Sequence, residues 1–462
     1  MLHEKQDPDS TGSVWVNPLF ADQAFSAVPK HALGDHPMSA AAAAQIVADE
    51  LMVDGNARLN LATFVTTWME PEAQKLMAST FEKNAIDKDE YPQTAAIEAR
   101  CVSILARLWG SADSDHAVGT STLGSSEAAM LAGLALKWRW KARRQASGGA
   151  TAAPNLVMGA NVQVCWEKFC RYFDVEPRMV PVQAGTYHLT PEAAAAHCDE
   201  NTIGVVAILG STYDGSYEPV SDIAAALDGL AATSGLDIPI HVDAAGGGFI
   251  APFLQPGLAW DFRLPRVASI NASGHKYGLV YPGVGWAVWR DHDALPDELV
   301  FRVNYLGGEM PTFTLNFSRP GNQILGQYYT FLRLGRQGYV QVQQASQDVA
   351  LHLSRAIAAR DPFTLITDGS ELPVFAWKIR DDFDAFDAFE LSDHLRERGW
   401  QVPAYRLPPD AQETVVLRVV VRNGFSHDLA DLLLADIDAG IAHLSLPPRK
   451  RRTEHRSSFS HT

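Results

Sequence analysis

The feature that most constrains the fold is a series of short apolar runs that each stop at small and polar residues. Residues 203–209 form one run and give way to Gly210-Ser211-Thr212. Residues 238–242 form a second, ending in Asp243-Ala244-Ala245-Gly246, and residues 267–271 stop before Ser273-Gly274-His275-Lys276. A fourth run, 284–289, follows a Pro-Gly break. Strands buried on both faces lose the alternation of apolar and polar residues, and when helical stretches separate them they build a parallel sheet covered on both sides. The expected fold is therefore α/β, with a mostly parallel central sheet. Ligands of such sheets bind beyond the carboxyl ends of the strands, which is where the polar residues gather here.

Outside that core the pattern changes. Residues 1–38 mix Pro, Ser, Asp and His without periodicity and read as an extended arm. Ser39 then stands as an N-cap before the alanines at 40–44, opening a helix that reaches Leu51 and is closed by Gly55-Asn56. After 345 a helix (346–359), two strands (374–379 and 415–421) and another helix (429–443) suffice for a small α+β domain. The expected organisation is an N-terminal arm and helix over 1–58, a large domain over 59–345, a small domain over 346–446 and a basic, mobile tail over 447–462.

Lys and Arg number 38 against 54 Asp and Glu, a net charge of −16. Nucleic-acid binding relies on basic surfaces that neutralise phosphates, so no nucleic-acid partner is expected. The four cysteines, Cys101, Cys165, Cys170 and Cys198, form neither a disulfide framework nor a CxxC metal pair. Reduced thiols in a cytoplasmic chain, with no metal, are the expectation. The first 30 residues scatter Glu4, Asp7, Asp9 and Asp22 where a signal peptide needs a positive and then an apolar segment. No apolar stretch reaches the ~20 residues of a membrane helix, and no membrane partner is expected.

Three elements carry candidate chemistry. A lone lysine is nearly always a solvated charge, but Lys276 follows a buried strand and a Ser-Gly turn among small residues. Such a setting partly desolvates an amine and depresses its pKa, as Schiff-base lysines require. Asp243 ends another apolar strand. It reads either as a cap or ion-pair partner, or as a buried carboxylate that keeps a cofactor ring nitrogen protonated, the electron sink that carbanion chemistry needs. The run from Gly119 to Glu127, with Gly124-Ser125-Ser126 at its centre, opens a helix. It reads equally as capping and as a phosphate site at the positive end of that helix.

These elements sit among longer stretches: Asn60-Leu61-Ala62-Thr63-Phe64, Ile86-Asp87-Lys88-Asp89-Glu90-Tyr91-Pro92, Gly124-Ser125-Ser126-Glu127-Ala128, Trp260-Asp261-Phe262-Arg263 and Asn316-Phe317-Ser318-Arg319-Pro320. Together they resemble the glutamate decarboxylases, group II pyridoxal-phosphate-dependent decarboxylases of fold type I, over residues 45–445. The resemblance implies decarboxylation of L-glutamate to 4-aminobutyrate and carbon dioxide, through a Schiff base on Lys276 and a quinonoid intermediate. It implies that Asp243 pairs with the pyridinium, that Ser125, Ser126, Ser273 and His275 hold the phosphate, that Gln163 packs over the ring, and that Thr212 supports the cofactor near Asp243. Thr63 and Asn84 resemble glutamate-binding residues, with Phe64 and Asp87 shaping the same pocket. Arg422 resembles the arginine that fixes a substrate carboxylate or the wall of the site. Lys276 or His275 would return a proton to Cα, and the proton consumed per turnover favours acidic pH.

The resemblance further implies a homodimer or higher homo-oligomer, a hexamer included, with Phe317 and Ser318 reaching a neighbour's site. The closing Ser458-Phe459-Ser460-His461-Thr462 resembles a tail whose His461 gates the site as pH rises; it reads equally as a plain tail. Asp243-Ala244-Ala245 is followed by Gly246-Gly247-Gly248 where many relatives have a serine first. The cluster Arg449-Lys450-Arg451-Arg452 lacks the bulky apolar anchors of an amphipathic helix, so no calmodulin partner is expected. The competing readings are a pyridoxal-phosphate decarboxylase of another amino acid and a non-catalytic interaction scaffold. A nicotinamide site is not supported, because no GxGxxG follows a first strand.

Overall fold

The computed structural model describes residues 31–34, 36–183, 185–305 and 310–446. The expected gate at His461 and the basic cluster at 449–452 lie outside them. The chain falls into two units, and Ala57–Ser445 holds every element but the first. That first element, α1 (Ala40–Leu51), starts where the sequence places it: the Ser39 side chain accepts the Ala42 amide at 3.2 Å.

The large sheet has seven strands: β1 (Val118–Thr122), β2 (Asn155–Gly159), β3 (Glu176–Val180), β4 (Thr202–Ile208), β5 (Ile240–Asp243), β6 (Val267–Ala272) and β7 (Gly285–Trp289). Their spatial order is β1-β7-β6-β5-β4-β2-β3, and only β7 runs against its neighbours. Within β4 the side chains alternate between two cores. Val205 and Ala207 join one, and Ile203, Val206 and Ile208 join the other. Both faces are dry, so the run carries no polar alternation; each such aliphatic contributes about 1.5–3 kcal/mol by burial. The second run is shorter than expected, because its strand starts only after Pro239.

Helices cover both faces. α2 (Pro71–Ala78) and α3 (Pro92–Leu108) precede β1, and α4 (Ser125–Ala146) follows it. α5 (Val164–Tyr172), α6 (Pro191–Ala196), α7 (Val220–Ser234) and α8 (Ala251–Leu254) lie between the later strands. Proline opens α2, α3 and α6 at a position where its missing N–H costs nothing. A two-stranded ribbon, β8 (Phe301–Val303) and β9 (Met310–Thr312), precedes α9 (Gly321–Ala358).

The helix expected over 346–359 is the last part of α9, which begins at Gly321 and bends at Gly335 (φ 54°). The expected division at 345/346 thus falls inside a helix. Beyond it stands an antiparallel sheet in the order β10-β11-β13-β12: β10 (Phe363–Leu365), β11 (Val374–Ile379), β12 (Ala404–Arg406) and β13 (Val415–Val420). Its core is completed by α10 (Ala388–Glu397) and α11 (His427–Leu444). Among the described residues no helix is long and apolar enough to cross a membrane.

Candidate active site

A cavity of about 480 Å³ opens past the carboxyl ends of five strands of the large sheet, within the ~300–1,000 Å³ usual for ligand sites. After β1 its wall is Leu123–Glu127, and after β2 it is Asn161, Gln163 and Cys165. Ile208, Gly210 and Thr212 follow from β4, Asp243 and Ala245 from β5, and Ser273, His275 and Lys276 from β6. Every residue assigned to cofactor binding from sequence lines this one space: Ser125, Ser126, Gln163, Thr212, Asp243, Ser273, His275 and Lys276.

Close backbone approaches hold the walls. A Cβ on Gly247 would stand 2.5 Å from the Leu209 carbonyl oxygen, and one on Gly285 would stand 2.4 Å from the Gly124 carbonyl carbon. Only glycine lets β7 lie against the start of α4. The Ser125 and Ser273 hydroxyls are 2.7 Å apart at that start. Glu127, in the first turn, is spent elsewhere. It accepts the Leu123 amide at 2.8 Å and the Leu315 amide at 3.0 Å, tying the segment before Phe317 to α4.

Asp243 is fixed by three donors. Trp166 Nε1 donates to Oδ2 at 2.8 Å, while Asn271 Nδ2 and the Ala245 amide donate to Oδ1 at 3.0 and 3.2 Å. Because Asn271 donates through nitrogen, its oxygen must accept from His241 Nε2, 2.7 Å away, which leaves His241 Nδ1 to accept from Ser269 Oγ at 2.8 Å. Burial pushes that imidazole down to about 4, so it is neutral. Trp166, Asn271 and His241 carried no role in the sequence reading. The available signal was a tryptophan in a buried helix start, whose N–H must find an acceptor.

Lys276 is held from two sides. Thr66 donates its amide to the His275 carbonyl at 2.7 Å and its hydroxyl to the Lys276 carbonyl at 2.6 Å. From α9, Gln343 donates to the Tyr277 carbonyl at 2.7 Å, and Gln327 and Tyr339 donate to the Gly278 carbonyl at 3.0 and 3.1 Å. Burial holds the Lys276 amine below the usual lysine range; Asp243 and Cys165 oppose this and Arg418 adds to it. Burial and the neighbouring Lys276 push His275 down to about 4, so its ring is neutral as well.

The residues expected to bind substrate fall into three places. Phe64 touches the cavity's lysine, with Lys276 Nζ 5.0 Å from its ring centre. Its neighbour Thr63 lies in a turn made by Asn60 Oδ1, which accepts the Ala62 and Thr63 amides at 2.9 and 3.3 Å. Asn84, Asp87 and Ser318 form a second group. Asn84 donates to Ser318 Oγ at 3.3 Å, accepts the Arg319 amide at 3.0 Å, and takes the Asp87 amide on its carbonyl at 3.1 Å. Phe317 stacks on Tyr305 beside them, with centroids 6.2 Å apart. None of this second group lines the cavity of its own chain.

Arg422, expected either to fix a substrate carboxylate or to build the wall of the site, is the third place, and it does not line the cavity. Its guanidinium donates to the carbonyls of Val65 (2.7 Å), Ala57 (3.0 Å) and Asn60, and to the Thr67 hydroxyl (3.2 Å). Its terminal donors are spent on the 57–67 backbone, so it belongs to the wall that carries Phe64.

Residues 35–380 match the model of the pyridoxal-dependent decarboxylase conserved domain. The chain belongs to the pyridoxal-dependent decarboxylases. It is 54% identical to a glutamate decarboxylase of Aliivibrio fischeri over 419 residues, 90% of each chain, and 52% identical to one of Solanum lycopersicum over 92% of this chain and 85% of that one. Among solved structures it resembles Lactobacillus brevis glutamate decarboxylase with a TM-score of 0.90 at 47% identity, covering 93% of this chain and 99% of that one. A sphingosine-1-phosphate lyase of Burkholderia pseudomallei shares the fold at 22% identity and a TM-score of 0.75, covering 91% of this chain and 94% of that one. The α/β fold with its small carboxyl-terminal sheet is the fold-type I architecture expected from sequence.

The cofactor of these decarboxylases is pyridoxal phosphate, and the cavity fits it. The group carries an anion at one end and a protonatable nitrogen at the other. The cavity offers a helix start with two hydroxyls for the first and a buried carboxylate for the second. Lys276, held below its usual range, supplies an amine to meet the aldehyde.

Proposed function

We propose that this decarboxylase removes the α-carboxylate of L-glutamate and releases 4-aminobutyrate and carbon dioxide. The observation that carries the reading is the convergence of Lys276 and Asp243, from different strands, on one cavity. The identity to glutamate decarboxylases over nine-tenths of the chain supports the choice of glutamate.

Bound pyridoxal phosphate supplies the electron sink that stabilises the carbanion left when the carboxylate departs. The side chains do the rest. Trp166 and Asn271 hold Asp243 at the cavity wall, where its carboxylate would meet the cofactor's ring nitrogen. Ser125, Ser126, Ser273 and His275 would hold its phosphate through neutral donors, and Gln163 and Thr212 would pack beside it. Burial lowers the proton affinity of the Lys276 amine, which favours the uncharged form that would meet the cofactor's aldehyde, and the same nitrogen would carry the proton returned to Cα. His275, neutral above about pH 4, is the weaker candidate for that proton. The Phe64 ring beside Lys276 excludes water.

Thr63 and Asn84 bind glutamate, Phe64 and Asp87 shape the same pocket, and Phe317 and Ser318 reach it from a neighbouring subunit. Tyr305 and Phe301 are 71% and 65% exposed, and Phe317 is 39% exposed. Exposed aromatic side chains of this kind suit a subunit contact, which supports a homo-oligomer. The four thiols are all free, in keeping with a cytoplasmic location.

Lys276→Ala tests the reading. The variant should lose turnover and the visible absorption of bound cofactor near neutral pH. A variant that keeps that absorption removes Lys276 as the anchor. Carbon dioxide release compared across glutamate, tryptophan and tyrosine should favour glutamate by orders of magnitude; equal rates would return the second reading, a decarboxylase of another amino acid.

A further inference from the structure

Residues 313–320 join β9 to α9 without helix or strand, and they carry Phe317 and Ser318. Of the side chains at 314–320, Arg319 alone is buried, at 7% exposure. It turns inward, to the end of β1 and to α3. Its Nη1 donates to the Ser121 carbonyl at 2.7 Å and to the Ser121 hydroxyl, and its Nη2 lies 3.5 Å from Glu98 Oε1. Glu98, itself buried, accepts the Ser121 amide at 2.9 Å and the Ser121 hydroxyl at 2.6 Å. Guanidinium, hydroxyl and carboxylate thus close a triangle beneath an exposed segment. The backbone beside it is pinned as well: the Arg319 carbonyl accepts the Ala85 amide at 2.8 Å, and the Lys83 carbonyl accepts the Gly321 amide at 2.7 Å. Neither Arg319, Glu98 nor Ser121 lines the cavity of its own chain.

We propose that Arg319, seated on Glu98 and Ser121, is a positioning residue that acts in trans, fixing how Phe317 and Ser318 are presented to the glutamate pocket of a neighbouring subunit. The proposal rests on the reading of Phe317 and Ser318 as serving that pocket. An apolar side chain would anchor the segment without the cost of stripping water from two charges. A guanidinium does more, because its planar fork has one orientation that serves the carbonyl, the hydroxyl and the carboxylate together. The anchor therefore sets the direction of the segment as well as its depth. Arg319 is joined on its amide side to Asn84, which also donates to Ser318 Oγ, so the same anchor holds the two polar residues of the group in register. The triangle also touches β1 two residues before Leu123, where the cavity wall begins. An effect on its own chain would therefore appear at the phosphate end, and an effect in trans at glutamate.

The experiment compares the full-length, cofactor-loaded parent with Arg319→Lys, which keeps the charge and loses the fork. KM for glutamate should rise about tenfold or more with a smaller change in kcat, the signature of lost substrate binding. Glutarate, which has both carboxylates and no amine, should raise the melting temperature of the variant less than that of the parent. Pyridoxal phosphate affinity, read by absorbance titration, should stay parental. Mixed oligomers of Arg319→Lys and Lys276→Ala subunits, co-expressed with different tags and purified through both, separate trans from cis. Sites that keep Lys276 can there draw an intact segment from the Lys276→Ala subunit, so a component with the parental KM should appear that neither pure variant shows. Mixed oligomers without that component, or weaker cofactor binding at a parental KM, would overturn the proposal by placing Arg319 at its own chain's site. A lower melting temperature with KM and the glutarate response unchanged would overturn it too. If Arg319→Lys does not fold, Ser121→Ala removes one corner of the triangle and should raise KM a few-fold; a parental KM would overturn the proposal. A parent that is a monomer, or that neither binds glutarate nor decarboxylates glutamate, would defeat the subunit and substrate reading and the proposal with it. With an oligomeric parent active on glutamate, the same failures overturn the role of Arg319 alone.

Discussion

Three segments meet at Asp243: the indole of Trp166 from α5, the amide of Asn271 from β6, and the chain's own turn at Ala245. Removing one donor from a buried carboxylate costs about 1–3 kcal/mol. Trp166→Phe should therefore bind pyridoxal phosphate about tenfold or more weakly in an absorbance titration, and unchanged affinity would mean that the indole N–H does not hold Asp243. The buried titratable groups also give a pH signature. His275 moves from its ordinary value near 6.5 to about 4 on folding, so between those values the unfolded chain binds the proton and the native one does not. Stability therefore falls as pH drops from about 6.5 to 4, by up to roughly 3 kcal/mol for this ring, and His241 acts in the same direction. Glu218 has the opposite sign. Burial raises it to about 7, so between 4.5 and 7 the native state holds the extra proton and gains stability as pH falls. Glu218→Gln should steepen the loss of melting temperature on acidification from pH 7 to 4.5; a shallower profile would refute the assignment. Lys276 and Asp243 were legible in sequence because each ends a dry strand. Trp166 and Asn271 were not, because their roles depend on which strands become neighbours.

At the scale of elements, the four central runs were readable because burial on both faces removes polar residues from a strand. α9 was readable only in its last third. Gly326, Gly335 and Gly338 break its helical signal, and the earlier part is held by tertiary contact. The same stretch bears Gln327, Tyr339 and Gln343, the side chains that clamp the carbonyls after Lys276. The strands β10 and β12, three residues each, are too short to carry a pattern of their own. Tight approaches between elements give a sharp expectation. A methyl on Gly285 would stand 2.4 Å from backbone at the start of α4, where nothing flexible can yield. Gly285→Ala should push β7 off α4 and cost on the order of 1–3 kcal/mol in chemical denaturation, with a parallel loss of cofactor. Parental stability would mean that the phosphate end of the cavity is looser than described.

For the whole molecule, the fold class and the site's place at the strand ends followed from the sheet pattern alone, whereas the arrangement of subunits has no signature in one chain's periodicity. The group of Asn84, Asp87, Phe317 and Ser318 is well built yet lies off its own chain's cavity, so light scattering should report a multiple of the single-chain mass. A fully active monomer would remove the neighbouring subunit from the account. The central claim is that one cavity sets Lys276 and Asp243 to release the α-carboxylate of glutamate. It is tested most directly by feeding the cofactor-loaded protein glutamate labelled in either its α-carboxyl or its side-chain carboxyl, and collecting the gas. Label should leave only from the α-carboxyl, and Lys276→Ala should release none. Release from the side-chain position, or undiminished release by the alanine variant, would contradict the account.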